Sequence, residues 1–158
     1  MLKQYLDMLK ESLREKSKIL DSLQESSKAQ DSLLSAQSLD MEAFDALVAS
    51  KDEEVSRLIR LDEGFDSLYN RIKAELEEHK AENASLIREI QGLIKEVSEK
   101  GLQVEAQEKR NRQRLEFHIK NERGRIQTGR STSRAAMSYY ENMNRLNVIA
   151  PQFMDNRK

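Results

Sequence analysis

Leu2-Lys-Gln-Tyr5-Leu6-Asp-Met8-Leu9-Lys-Glu-Ser-Leu13 sets leucines four, three and four residues apart, the spacing that returns side chains to one face of an α-helix. The seam continues through Leu20, Leu23 and Leu34, and Tyr5, Met8, Ile19 and Leu33 widen it into a stripe that needs a core to face. Lys16, Ser27 and Gln30 interrupt it, as expected of a thin bundle with polar layers rather than a strict coiled coil. A first helix is predicted from about residue 2 to 37.

A second helix begins at Asp40. Its carboxylate is placed to cap free N–H groups, and Leu39 before it and Phe44 after it form a hydrophobic staple. Phe44, Leu47, Val48, Val55, Leu58, Leu61, Phe65, Leu68, Ile72 and Leu76 then keep helical spacing to about residue 79. Gly64 interrupts this run and marks a bend, a break or a close helix crossing. Glu77 to Ser85 has no large apolar residue and ends in residues suited to capping, which places a turn there. The third helix, about 85 to 126, carries Ile90, Ile94, Val97, Val104, Leu115 and Ile126 on its seam, with Leu86, Leu93 and Ile119 beside it. Gly101, Glu108, Asn111 and His118 fall where apolar residues belong, so the far half of this helix is under-buried unless something covers it. Short turns between long helices make consecutive helices antiparallel neighbours. The fold class is therefore all-α: an elongated antiparallel three-helix bundle over residues 1–127.

Residues 128–158 break the pattern. Thr128-Gly-Arg-Ser-Thr-Ser-Arg134 has no apolar side chain and reads as a flexible linker. After it come Ala136, Tyr139, Tyr140, Met143 and Leu146, a short amphipathic stretch, then the only proline, Pro151, and Phe153-Met154. A joint leading to a small sticky segment is how a scaffold presents a binding peptide. The tail should add little to the bundle seam.

Composition agrees. Of 158 residues, 35% are charged and only 5% aromatic, which supports two-sided helices rather than a thick globular core. Absent cysteine excludes disulfides. Met1 to Asp7 is already charged where a leader would be apolar, and the longest apolar run, Ala46-Leu-Val-Ala49, is far short of the ~20 residues that span a bilayer. A cytoplasmic protein with no membrane insertion is expected.

Charge is uneven. Residues 40 to 82 hold thirteen acidic against six basic side chains, and 105 to 134 hold nine basic against four acidic, so antiparallel neighbours would complement each other. Lys109-Arg-Asn-Arg-Gln-Arg114 reads first as a solvated helix face. A nucleic-acid binder using residues 109–134 is the lesser alternative, because the stretch lacks the aromatics or module such binding usually brings. His79 and His118 stand far apart, and neither has the Glu-x-x-His spacing of helical di-iron sites. Glu75 and His79 read as a solvated pair. No metal, no cofactor and no catalytic residue is expected, and a binding protein rather than an enzyme is the reading.

Three features together resemble the FlgN family of flagellar export chaperones. They are the leucine-rich first helix; Asp40-x-Glu42-x-Phe44-Asp-x-Leu47-Val-x-x-Lys51-Asp52 leading into Leu58-x-x-Leu61-Asp-x-Gly-Phe65; and Glu108-x-x-Asn111 in the third helix. The similarity extends to a tyrosine-bearing tail that closes with Phe153-Met-Asp155 and basic residues. The resemblance implies a cytoplasmic, non-enzymatic chaperone that binds the C-terminal helical region of flagellar hook-associated (hook-filament junction) proteins and delivers them to the flagellar type III export gate. It assigns client binding to Ala136, Tyr139, Tyr140, Met143 and Leu146, with Tyr139 or Tyr140 docking to export gate components. The under-buried half of helix three, at Glu108, Asn111 and Leu115, is expected to form a secondary partner surface. The alternative of another class is a self-associating structural coiled coil, a homo-oligomer whose second copy covers the polar seam of helix three.

Overall fold

The computed structural model describes residues 1–121, 126–143 and 153–154. Four helices follow in order: α1 Leu2–Leu34, α2 Met41–Glu78, α3 Ala84–Asn121 and α4 Ile126–Met143. There is no strand among the described residues. The three long helices, of 33, 38 and 38 residues, run roughly 50 to 57 Å at ~1.5 Å per residue.

All three seams repeat every seven residues. On α1 the buried positions include Leu2, Leu6, Leu9, Leu13, Lys16, Leu20, Leu23, Ser27, Gln30 and Leu34. On α2 they include Phe44, Val48, Lys51, Val55, Leu58, Phe65, Ile72 and Leu76, and on α3 Ile87, Ile90, Ile94, Val97, Gly101, Val104, Glu108, Asn111 and Leu115. A sustained seven-residue repeat keeps each seam on the common axis as the helices wind.

The neighbours differ from expectation in one respect. Here α1 packs extensively on both α2 and α3, while α2 and α3 make no comparable contact with each other. Consecutive helices are therefore antiparallel, but only the first pair are close neighbours. Side-chain contacts show the direction: Lys10–Glu89 and Lys100–Asp21 tie α1 to α3 in parallel, and Lys51–Gln30 and Lys16–Asp62 tie α2 to α1 in the opposite sense. The largest helix–helix contact thus lies between the first and third helices, and a groove remains between α2 and α3.

The ends follow their local chemistry. Asp40 accepts from the Ala43 N–H at 3.1 Å, and Leu39 and Phe44 are both buried, so the cap and staple form as read. Asn83 precedes α3, and its amide donates to the His79 carbonyl at 2.9 Å, closing the end of α2. At the end of α1, His118 Nε2 lies 2.7 Å from the Leu34 carbonyl, so that nitrogen carries the proton and donates it, while Arg114 bonds Asp31 and Ser35. The His118 position on the α3 seam thus serves an otherwise free carbonyl.

Gly64 neither bends nor breaks α2, which runs unbroken from Met41 to Glu78. Nor does it mark a close crossing, because a Cβ placed there would meet no atom within 4 Å. Gly64→Ala should therefore stabilise the protein by about 1 kcal/mol, the helix-propensity difference, seen as a higher urea midpoint with an unchanged slope. A lower midpoint would mean that the open side of α2 is occupied.

Candidate functional site

The polar gaps in the three seams fall at one level and answer one another. Lys51, 0% exposed, sends its ammonium to Glu108 Oε1 at 2.7 Å and also to Gln30 Oε1. Ser27 donates to the same Glu108 oxygen. Asn111 Nδ2 donates to the Ser27 carbonyl at 2.8 Å, Gln107 donates to Asn111 Oδ1 at 2.9 Å, and Gln30 Nε2 reaches the Phe44 carbonyl at 3.3 Å. Burial pushes the Lys51 ammonium below its ordinary range, and the Glu108 carboxylate opposes that shift. Breaking such a pair by removing one partner leaves the other as an uncompensated buried charge.

This layer corrects the reading of α3 as under-buried. Glu108, Asn111 and Leu115 are 4%, 0% and 0% exposed. They are not a free secondary surface, because α1 and α2 supply complementary polar groups at the same height. Lys51 was missing from the seam read for α2, although its place between Val48 and Val55 was the available signal.

α4 lies in the groove between α2 and α3. Ala136, Tyr139, Tyr140 and Met143 are all buried and belong to the one hydrophobic core; Leu146 lies outside the described residues. The Lys51 ammonium sits 4.6 Å from the Tyr139 ring centroid, a cation–π contact within the buried layer. Arg112 lies 6.0 Å over the Tyr140 ring, and the two tyrosines meet edge-on at 5.3 Å. At the rim Asn142 donates to Asp52 at 3.5 Å. Further along the groove, Phe153 packs on Tyr69 and Phe65 with centroids 5.2 and 6.3 Å apart, and Gln91 donates to the Met154 carbonyl at 2.6 Å.

The tail is therefore part of the core rather than a separate presented peptide. Thr128 to Arg134, read as a linker, lies inside the helical span of α4. The docked end from Ala136 to Met143 anchors a helix that propagates backward at one backbone hydrogen bond per residue, which outweighs the poor local propensity of that stretch. The tail also contributes to the seam, contrary to expectation, because Tyr139 covers Lys51.

Burial and the Glu108 charge both push the Tyr139 and Tyr140 phenols well above the ordinary tyrosine range. The Glu108 carboxylate lies close enough to Tyr139 to oppose its ionisation, yet Glu108 Oε2 and both tyrosine hydroxyls complete no well-formed hydrogen bond among the described residues.

Several basic side chains of the 109–134 stretch are engaged internally: Arg112 with Glu116, Arg114 with Asp31 and Arg110 with Gln107. His79 pairs with Glu82 at 3.0 Å rather than with Glu75. Among the described residues no group of three or more His, Cys, Asp or Glu side chains could hold a metal ion, and no helix is long and apolar enough to cross a membrane. No family model, curated protein or solved structure matches the chain. The functional reading therefore starts from the α4 seat.

Two outcomes test this site. Lys51→Met should cost roughly 3 to 5 kcal/mol by leaving Glu108 buried without its cation. Adding Glu108→Gln should recover a large part of the loss, measured as a coupling energy in a double-mutant cycle; simple additivity would show that the pair is not energetically linked.

For the tyrosines, phenols whose folded pKa exceeds the unfolded value of 10.0 give stability that is fully present below about pH 10 and lost as pH rises further. Lys51 has the opposite sign, and its contribution stops changing above its unfolded value of 10.5. Net stability should therefore fall above about pH 10.5. In the Tyr139→Phe, Tyr140→Phe double variant this alkaline fall should be much shallower in pH-dependent urea melts; an unchanged slope would mean both phenols titrate freely.

Proposed function

We propose that this chain is a non-enzymatic, cytoplasmic export chaperone of the FlgN kind, which holds the C-terminal helical region of a flagellar hook-associated subunit and delivers it to the type III export gate. The observation that carries the reading is α4 itself. An amphipathic helix lies in the α2–α3 groove, with Ala136, Tyr139, Tyr140 and Met143 buried. A groove that holds one amphipathic helix is the kind of seat used in helix-in-groove recognition, and a client helix would meet the molecule there. The resemblance in sequence supplies the flagellar assignment, and the bundle with a tyrosine-bearing C-terminal helix is compatible with it.

Other uses of the chain find less support. The seams that a self-associating coiled coil would share with a second copy are satisfied within one chain by Lys51, Glu108, Ser27 and Asn111. The arginines that a nucleic-acid binder would need are in part committed to acidic and amide partners on α1 and α3.

The test is binding of the full chain to purified hook-associated subunits and to the same subunits lacking their C-terminal helical region. A complex with the intact subunit only is expected, together with faster hydrogen exchange over residues 136–143 in that complex as α4 leaves its seat. Equal binding of the truncated subunits, or no complex at micromolar concentrations, would remove the flagellar assignment.

A further inference from the structure

The floor of the α4 seat is not an apolar trough. At its centre stand a buried ammonium and a buried carboxylate, Lys51 and Glu108, in contact at 2.7 Å. The ammonium faces the Tyr139 ring at 4.6 Å. Glu108 spends Oε1 on Lys51 and Ser27, while Oε2 is buried and completes no well-formed hydrogen bond among the described residues. Leucine would offer nothing to either group, and phenylalanine would offer only a ring to Lys51. Tyrosine is the side chain that presents an aromatic face to a cation and a donor to a carboxylate in one rigid unit.

We propose that the α2–α3 groove beneath α4 reads a tyrosine-bearing amphipathic helix supplied by another protein, with Lys51 taking the aromatic face and Glu108 Oε2 the phenolic hydroxyl. α4 is the occupant of the same groove in the free chain. It fits incompletely: Tyr139 and Tyr140 bury their rings, and the Tyr139 hydroxyl lies near Glu108, but neither hydroxyl completes a well-formed hydrogen bond among the described residues. Such unmade bonds weaken a buried contact. α4 follows α3 after only residues 122–125, so its axial position is restricted, whereas a helix from another chain is free to shift until the bond to Glu108 closes. The pattern the groove accepts is written in α4: a small residue, an aromatic pair three and four positions on, and a flexible apolar residue at the seventh, as in Ala136, Tyr139, Tyr140 and Met143. The inference rests on the helix-exchange part of the proposed function and not on the flagellar part.

The test uses a labelled synthetic peptide with the sequence of residues 126–143 and the full-length chain. In the wild type the tethered α4 competes at a millimolar effective concentration, so the peptide should bind weakly. A full-length variant with Tyr139→Ala and Met143→Ala, checked for helicity by circular dichroism, should bind it at least roughly tenfold tighter by anisotropy, because its own occupant has lost an aromatic anchor. Met143→Ala alone serves if the double variant loses helicity. The peptide carrying Tyr139→Leu should then bind roughly thirtyfold more weakly than the parent, and one carrying Tyr139→Phe should fall between them. These substitutions leave the receptor unaltered.

A leucine peptide as tight as the tyrosine peptide would overturn the proposal in favour of an unselective apolar trough. A phenylalanine peptide as tight would overturn the role of Glu108, and absence of tightening in the weakened variant would overturn exchange itself. A wild-type chain that is dimeric by light scattering at assay concentration would assign the groove to α4 of a second copy. No flagellar protein is present, so these results stand whether or not hook-associated subunits bind.

Discussion

One buried ion pair sets the terms for the rest of the molecule. Lys51 and Glu108 are removed from water, and an ion pair in that position is tolerable only when its remaining hydrogen-bonding capacity is met. Gln30 and Ser27 meet part of it from α1, and Asn111 on α3 holds Ser27 in place through the Ser27 carbonyl. Each belongs to a heptad seam, so satisfying the pair also sets the axial position of all three long helices. A slide of one heptad would leave apolar packing almost equivalent, because leucine and isoleucine repeat along the seams, but it would strand a charge among them. Specificity of register is thus concentrated in a few polar side chains, while the aliphatic seams supply the bulk of the burial.

The same pair explains why the fourth helix is present. With α1 packed on both partners and α2 and α3 apart, one side of the polar layer faces the groove. Tyr139 closes that side, its ring on the ammonium. Phe153 packs over Phe65 and Tyr69 further along α2, and the Met154 carbonyl accepts from Gln91 of α3. The segment after α3 therefore acts as a fourth corner of the bundle, built at one end from a helix and further along from an aromatic and a methionine.

Much of this was legible in the residues and some was not. The three seams, the Asp40 cap, the Leu39–Phe44 staple and the turn near Asn83 are local, and local spacing reports them faithfully. Pairing between seams is not local. Ser27, Glu108 and Asn111 each look like a defect on its own helix, and only the antiparallel return of α2 brings Lys51 to their level. Gly64 misled because glycine in a helix has two meanings, a close approach or mere tolerance, and the difference lies in what stands opposite. The tail misled for a related reason. Seven residues without an apolar side chain read as a joint, yet the helix they extend is held from its far end, by contacts with residues some ninety positions earlier such as Asp52 with Asn142. Ala136, Tyr139, Tyr140 and Met143 of its apolar face are buried, but that burial depends on a groove that exists only because α2 and α3 stand apart.

The parallel pairing of α1 with α3 has a kinetic consequence. Contacts between them join residues 79 to 84 positions apart in the chain, as in Lys100 with Asp21 and Asn111 with Ser27, so the principal interface is a long-range one and carries a high contact order. In chain order α1 and α2 are complete before Glu108, which lies 57 residues after Lys51, so a hairpin of the two would set Lys51 against Gln30 without its carboxylate. At ~5 to 20 residues per second that interval is roughly 3 to 11 s. A hairpin of α1 and α2 alone would hold its leucine face beside a Lys51 ammonium without Glu108, and only the third helix supplies the matching charge.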